Sequence, residues 1–181
     1  FMVSIGRDMS DSNLTDPIPR VGTNENSDKL LSVVMPYYKN ARTLITCIRS
    51  FTEQTIPSEN YEIILVDDEA EPTAKTLLVS AGFHHVQVIE TGHCGQVRAT
   101  NRGIDAACGQ FLLLTCADII ASPGLLERHL KLQQNTEKLC CVTGPIAYPE
   151  EYNTSPFMRY LLRTGRQFRV PPNAQFNECG L

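Results

Sequence analysis

Short apolar runs that alternate with helical patterns restrict the fold of this chain more than any other feature of its sequence. Runs of strand length lie at residues 30–35, 63–66, 86–89, 111–114 and 139–142. The segments between them carry helix signals, such as a capping residue at Asn40 followed by apolar residues at three- and four-residue spacing. Strands that alternate with helices over short connections are typical of a mainly parallel sheet. The sequence therefore predicts an α/β fold with helices on both faces of the sheet.

The beginning of the chain differs in composition from the rest. Residues 1–29 are rich in Ser, Asp, Asn, Thr and Pro and show no sustained periodicity, which favours a flexible leader. The 181 residues suffice for one domain with a proper core but not comfortably for two. We therefore expect a flexible leader at residues 1–29 and one domain at residues 30–181.

Charge and cysteine content narrow the class of protein. With 16 Lys+Arg against 20 Asp+Glu the net charge is -4, which argues against a nucleic-acid-binding protein. The seven cysteines lack a disulfide or zinc spacing, and this favours a reducing, cytoplasmic location. The sequence contains no apolar run long enough to predict a membrane span. A basic stretch from Arg159 to Arg169 is interpreted as surface charge, with contact with a phosphate-bearing ligand or an anionic membrane as the alternatives.

Acidic residues follow directly after two of the apolar runs. Asp67 and Asp68 end the second run, and Asp118 comes shortly after the fourth. In parallel sheets ligands bind at the carboxyl ends of the strands, where carboxylates can hold a divalent metal or accept hydrogen bonds from a nucleoside. The alternative is that these residues only serve turns and helix caps. The chain has neither a G-x-G-x-x-G after its first apolar run nor a P-loop, so a bound diphosphate would need another device, such as a metal held by Asp118.

Four segments together resemble the motifs of family 2 glycosyltransferases. Residues 32–40, SVVMPYYKN, are similar to the family's V-S-V-V-I-P-x-Y-N, and residues 62–68, EIILVDD, to E-I-I-V-V-D-D-G-S. Residues 95–103, GQVRATNRG, are similar to G-x-x-x-A-R-N-x-G, and residues 109–118, GQFLLLTCAD, to G-x-y-l-x-f-L-D-A-D. Each match alone is weak, but the four occur in the family's order and near its spacing.

The resemblance implies a GT-A fold, a Rossmann-like fold of nucleotide-diphospho-sugar transferases, which binds the donor at the sheet edge. The implied chemistry is inverting transfer of a sugar to an acceptor hydroxyl, either saccharide or lipid-linked, with UDP as the expected donor nucleotide and Mg or Mn as the cofactor. Pro36 and Tyr38 would flank the base, and Asp67 or Asp68 would hydrogen-bond the base and ribose. The other positions implied to contact the donor are Arg98 and Ala117 at the nucleotide and Asp118 at the metal.

The sequence departs from the family pattern at several of these positions. Cys116 stands where the first aspartate of D-x-D is usual, Glu69-Ala70 replaces Gly-Ser, and Thr100 replaces an arginine. The acidic motif that supplies the family's catalytic base is not recognisable after Asp118, so the catalytic base is unassigned and the chain is interpreted as a fragment. Two alternatives follow. One is a nucleotidyltransferase, which would need a glycine-rich basic loop after the first strand; the other is a nucleotide-sugar-binding module without full catalytic machinery.

Overall fold

A computed structural model describes residues 3–6, 29–135, 141–144, 155–157 and 159–160. The chain divides into two compact units, Phe1–Thr143 and Gly144–Leu181. Every strand and helix discussed below belongs to the first unit. None of the helices in the described part of the chain is both long and apolar enough to cross a membrane.

The described strands form one six-stranded sheet. They are β1 (Val3–Gly6), β2 (Leu31–Tyr37), β3 (Tyr61–Asp68), β4 (Gln87–Thr91), β5 (Phe111–Leu114) and β6 (Cys141–Thr143), in the order β4-β3-β2-β5-β1-β6. The four strands β2 to β5 run parallel, whereas β1 is antiparallel to both β5 and β6. The carboxyl ends of β2, β3 and β5 therefore meet at one edge of the sheet.

Helices cover both faces of the sheet, as the sequence predicts. They are α1 (Ala41–Thr52), α2 (Ala74–Ser80), α3 (Gln96–Ala106) and α4 (Leu125–Gln134). Side chains alternate along β2, so that Val33 and Met35 join a core with residues of α1, α2 and α4. Val34 lies on the opposite face and packs with Ala99 of α3. Burial of β2 on both sides explains why its residues are mainly apolar.

The third motif fits α3 closely against the sheet. Ala99 is completely buried, and a Cβ added at Gly103 would overlap the side chain of Val34 and lie 3.0 Å from a methyl group of Val66. A helix with a larger residue at this point would have to move away from β2 and β3. Ala99 and Gly103 of the motif are therefore required by packing and not by ligand chemistry.

A hydrogen-bond cluster at the opposite edge of the sheet explains two further motif residues. The Ser32 hydroxyl donates to Oε1 of Glu62 at 2.5 Å and accepts the Gly109 N–H at 2.7 Å. Glu62 Oε1 also accepts the Cys108 N–H at 2.7 Å. A Cβ at Gly109 would lie 2.5 Å from the Ser32 nitrogen, so only glycine fits. Glu62 and Gly109 thus tie the turn before β5 to the start of β2 and β3.

The boundaries of the elements differ in detail from the sequence prediction. Pro72 is a residue that favours the first turn of a helix, but the helix begins at Ala74, because the hydroxyl of Thr73 caps it by accepting the Thr76 N–H at 3.3 Å. Asn40 occupies the cap position of α1, but its side chain makes no capping hydrogen bond. β1 lies inside the segment for which no strand was predicted. The boundary between leader and domain near residue 29 stays a prediction.

Candidate active site

A cavity of about 370 Å³ opens at the carboxyl edge of the parallel strands. The segments that follow β2 and β5, the end of β3 and the first turn of α3 all contribute to its wall. Its lining residues are Pro36, Tyr37, Tyr38, Asn40, Asp68, His93, Gly95, Gln96, Cys116, Ala117 and Asp118. The structure therefore brings together five residues that the resemblance implies for the donor: Pro36, Tyr38, Asp68, Ala117 and Asp118. Asp67 and Arg98 are not part of the lining.

Asp67 and Asp68 point to opposite sides of the sheet, because successive side chains of a strand alternate. Asp67 faces α2. Its Oδ1 accepts the Ala70 N–H at 2.8 Å and its Oδ2 accepts the Ala74 N–H at 2.7 Å. Ala74 is the first residue of α2, so this carboxylate stabilises a helix N-terminus. Asp67 is only 2% exposed, and its two oxygens hold the loop between β3 and α2.

Asp68 organises the loop that leads into α3. Its Oδ1 accepts the Cys94 N–H at 2.7 Å and the Thr91 hydroxyl at 3.3 Å. Its Oδ2 accepts the Gly95 N–H at 3.0 Å and lies 3.4 Å from Nδ1 of His93. Burial alone would raise the pKa of this carboxyl, but the hydrogen bonds from Cys94 and Gly95 and the nearby His93 hold the pKa below its ordinary value. Asp68 is therefore an ionised hydrogen-bond acceptor in the cavity wall.

Two aromatic rings meet at the mouth of the cavity. The rings of Tyr38 and His93 are stacked, with centroids 4.7 Å apart and an angle of 26° between their planes. Nζ of Lys39 lies 4.8 Å from the centroid of the same tyrosine ring. The backbone N–H of His93 donates to Oε2 of Glu69 at 3.2 Å. The loop after β4 is thus joined to the ends of β2 and β3.

The residues after β2 and β3 have a left-handed backbone. Lys39 has a φ of 51° and Glu69 a φ of 62°, values that favour glycine or asparagine over long side chains. The family pattern has asparagine at the position of Lys39 and glycine at the position of Glu69. Their side chains place a cation beside Tyr38 and a carboxylate beside His93, two residues that line the cavity.

Asp118 and Cys116 lie at the other side of the cavity, after β5. Asp118 is exposed, and its carboxylate makes no hydrogen bond or ion pair with any residue that the structure describes. The Cys116 thiol accepts a long contact of 3.9 Å from Nε2 of Gln96. Burial raises the pKa of the Cys116 thiol, and the charge of Asp118 raises it further. The position of the first D-x-D aspartate therefore carries a neutral thiol.

The first turn of α3 faces the cavity without a side-chain cap. Gly95 is the cap residue, with a φ of 86°, and it lines the cavity together with Gln96. Arg98 lies in this first turn and is exposed. Thr100, which stands at the usual arginine position, instead donates its hydroxyl to the Gln96 carbonyl at 2.9 Å. Arg98 is accordingly the cation nearest in sequence to the uncapped N–H groups.

The cavity offers few protein ligands for a metal ion. Among the described residues, no three His, Cys, Asp or Glu side chains are grouped closely enough to bind one. Magnesium, however, is usually bound by one or two carboxylates together with waters and substrate phosphates. The single unpartnered carboxylate of Asp118 fits such a site, with a bound diphosphate supplying further oxygen ligands.

The comparison with known families agrees with this arrangement. The model of "Glycosyl transferase family 2" matches residues 32–181, which include the whole cavity. The chain belongs to glycosyl transferase family 2. Among the curated relatives, glycosyltransferase AglE of Haloferax volcanii is 29% identical over 109 residues, which make up 59% of this chain and 36% of that protein. Glycosyltransferase GlyG of Streptococcus pneumoniae is 30% identical over 145 residues, 78% of this chain and 46% of that protein.

Solved GT-A glycosyltransferases have the same fold as this family 2 chain. The mannosyltransferase PcManGT from Pyrobaculum calidifontis, solved with GDP-Man and Mn2+, matches 74% of this chain and 40% of its own, with a TM-score of 0.52 and 18% identity. S. aureus TarS in complex with UDP matches 58% of this chain and 32% of its own, with a TM-score of 0.50 and 20% identity. The chain thus spans less than half the length of each of these proteins.

Sequence reasoning missed several residues of the family 2 cavity. The sequence favours a helix cap at Asn40 and an ordinary loop residue at His93, with a phosphate contact as the alternative for His93; both residues line the cavity. No local pattern marks His93, because its contacts depend on the ends of two other strands. For Asp67 and Asp68, in contrast, strand alternation was a usable signal, since it sends neighbouring side chains to opposite faces.

Proposed function

We propose that the cavity binds a nucleotide-diphosphate sugar and that the complete protein transfers the sugar, with inversion, to an acceptor hydroxyl. The observation that carries this proposal is the arrangement of three groups in one cavity. An aromatic ring, Tyr38, and an ionised acceptor, Asp68, lie on one side, and the unpartnered carboxylate of Asp118 lies on the other. The ring of Tyr38 and the carboxylate of Asp68 suit a nucleoside, and the carboxylate of Asp118 suits the metal of a metal-bound diphosphate.

The nucleoside would bind between the ends of β2 and β3. Aromatic faces bind bases by stacking, and Tyr38 offers such a face at the cavity mouth. Asp68 is acceptor-only when ionised, so it is suited to N–H or O–H donors of a base or ribose. Asp68 also accepts backbone N–H groups, but it lines the cavity and Asp67 does not. We therefore assign Asp67, whose oxygens accept the Ala70 and Ala74 N–H groups, to loop structure instead of nucleotide contact.

The diphosphate would lie between the first turn of α3 and Asp118. Backbone N–H groups at a helix N-terminus favour anions, and Arg98 adds a positive charge in the same turn. Mg or Mn held by Asp118 together with the diphosphate would stabilise the departing diphosphate as a Lewis acid. The donor nucleotide is proposed to be UDP, the expected nucleotide of the family; of the two proteins of the same fold, TarS is solved with UDP and PcManGT with GDP-Man.

The transfer step itself needs a base that takes the proton of the acceptor hydroxyl. The hydroxyl oxygen attacks the anomeric carbon, the bond from that carbon to the diphosphate breaks, and the base keeps the proton. Glu127 is unsuited to this task, because it accepts hydrogen bonds from Lys131 and Thr55 that lower its pKa. Glu137, Glu150, Glu151 and Glu178 lie outside the described residues. We leave the base unassigned, and propose a saccharide or lipid-linked acceptor.

One observation favours a second function, which is donor binding without turnover. The neutral thiol of Cys116 stands where the D-x-D pattern has a carboxylate, so a metal bound here would have one carboxylate ligand fewer than that pattern offers. Such a site can bind a nucleotide and still support transfer poorly. A cytoplasmic location and peripheral membrane contact stay predictions: Arg159 is exposed, and the other arginines of that stretch lie outside the described residues.

Calorimetric titration tests the proposed function. UDP and GDP are titrated into the chain with Mn2+, and the titrations are repeated with EDTA and with Asp118→Ala. Binding that depends on the metal and is lost in Asp118→Ala supports the proposal. Asp105→Ala is the matched control, because Asp105 is an exposed carboxylate of α3 outside the cavity. Absence of binding in all of these conditions would contradict it. Release of free sugar or a glycosylated acceptor then separates an enzyme from a binding module.

A further inference from the structure

The side chain of His93 contacts both groups that the proposed function assigns to nucleobase recognition, the Tyr38 ring and the Asp68 carboxylate. Its imidazole is stacked on Tyr38 with ring centroids 4.7 Å apart. Its Nδ1 lies 3.4 Å from Oδ2 of Asp68. The imidazole therefore has the same two contacts, a stacked face and a ring nitrogen at a carboxylate, that the proposed function gives to the base.

The space between the two rings does not admit a nucleobase. Stacked aromatic rings typically have centroids about 4.5–7 Å apart, so 4.7 Å is the separation of rings in direct contact. A base inserted between them would need roughly twice the usual separation. Stacking of a base on this face of Tyr38 consequently requires the imidazole to leave.

The imidazole can leave without disturbing the loop that carries it. The side chain of His93 is 55% exposed, so it can rotate into solvent. The backbone N–H of His93 remains bonded to Glu69, and the neighbouring Cys94 and Gly95 remain bonded to Asp68. Only the imidazole has to move, whereas the loop and Asp68 keep their positions.

We propose that the imidazole of His93 occupies the nucleobase position in the unliganded protein, and that the donor nucleobase binds by displacing it and taking over its contacts with Tyr38 and Asp68. This inference rests on the proposed function, because it needs a nucleotide in the cavity. In the unliganded protein the imidazole stacks on Tyr38 and lies beside the Asp68 carboxylate, and it leaves both contacts when a nucleobase binds there.

The contact of the His93 imidazole with Asp68 also indicates which nucleobases can replace it. Asp68 is ionised and can only accept hydrogen bonds, so a competing base must offer a ring N–H. Uracil and guanine have one, while cytosine has a lone pair at the corresponding nitrogen. UDP and CDP are thus a matched pair that differs at the edge facing Asp68, and UDP is expected to displace His93 whereas CDP is not.

The test combines histidine NMR with calorimetry, both with Mg2+ as a diamagnetic ion. Comparison with the spectrum of His93→Ala assigns the His93 ring resonances among those of the four histidines. In the free protein these resonances are expected to be shifted upfield by the Tyr38 ring, and UDP is expected to return them towards free-histidine values. By calorimetry His93→Ala is expected to bind UDP roughly three- to tenfold more tightly, because one stacked ring no longer competes. His84→Ala, a change of another exposed histidine, should leave the affinity unchanged.

The possible results separate this inference from the proposed function. If UDP binds while the His93 resonances keep their shift, or if His93→Ala binds UDP equally or less tightly, the displacement is refuted and the donor site stands. If CDP binds as tightly as UDP, base selection through Asp68 is refuted. If UDP binds neither the wild type nor His93→Ala, the proposed function fails, and the inference fails with it.

Discussion

Replacement of Asp67 by asparagine separates loop structure from ligand binding in the paired aspartates. The carboxylate is 2% exposed and accepts the Ala70 and Ala74 N–H groups, one on each oxygen, at 2.8 and 2.7 Å. Asparagine has the same shape but only one oxygen, so its NH2 group must face one of these N–H donors. The substitution therefore removes one charge-assisted hydrogen bond and leaves a buried N–H unsatisfied.

The magnitude follows from these two losses. A hydrogen bond to a charged group contributes about 1.5–3 kcal/mol, and a buried unsatisfied donor costs about 1–3 kcal/mol. Because the losses share one N–H group, we expect Asp67→Asn to lower the free energy of unfolding by about 2–4 kcal/mol. For a chain of this size that corresponds to a fall in Tm of roughly 5–15 °C.

The assay is thermal and urea unfolding followed by circular dichroism, with Asp118→Asn as the control. Asp118 is exposed and has no partner among the described residues, so its substitution should change the free energy of unfolding by less than about 0.5 kcal/mol. Below its Tm, Asp67→Asn should keep UDP affinity, whereas Asp118→Asn should lose it. A Tm within a degree or so of the wild type for Asp67→Asn, or a selective loss of UDP binding, would refute the assignment of Asp67 to loop structure.

Three further changes have defined outcomes. Cys116→Asp adds a second carboxylate, so Mn-dependent UDP affinity by calorimetry should rise, roughly tenfold for a further ligand of this kind; no rise would contradict the role of the thiol. Gly103→Ala overlaps Val34 and should lower the free energy of unfolding by about 1–3 kcal/mol in urea, while Gly92→Ala, which meets no atom within 4 Å, should not. Burial raises the pKa of Asp68, but the hydrogen bonds that its carboxylate accepts hold this pKa below the ordinary value. The ionised carboxylate therefore stabilises the fold above the unfolded-state pKa of about 3.9, and this stabilisation is lost as the pH falls towards the folded-state pKa. Asp68→Asn should therefore flatten the acid limb of the stability curve, and an unchanged slope would contradict this.

The parallel part of the fold could be predicted from the sequence because its signals are local. β5 is observed at Phe111–Leu114, which are the residues of the fourth apolar run. An apolar run such as β2 reports burial on both faces without knowledge of its neighbours. β1, in contrast, is four residues long, and it is held by pairing with strands more than a hundred residues away. Its own residues, VSIG, include two apolar side chains, a pattern too short to predict a strand without the strands with which it pairs.

The position of the candidate site could be predicted from the sequence, but the role of each residue could not. The carboxyl edge of a parallel sheet fixes where a ligand binds, and Pro36, Tyr38 and Asp118 do line the cavity there. Whether a carboxylate faces the cavity or a helix N-terminus depends on the side of the strand, and this divides Asp67 from Asp68. The Tyr38–His93 stack depends on loops from different strands, so it is visible only in three dimensions.

The central claim is that the cavity binds a metal–nucleotide diphosphate beside Asp118, and paramagnetic broadening by Mn2+ tests it most directly. Amide NMR spectra are recorded with UDP and Mg2+, and Mn2+ is then added in small amounts. The account predicts selective loss of the amide signals of Cys116, Asp118 and Gln96, while Gly109 at the opposite edge of the sheet stays sharp. Broadening centred elsewhere, or equal broadening without UDP and in Asp118→Ala, would contradict it.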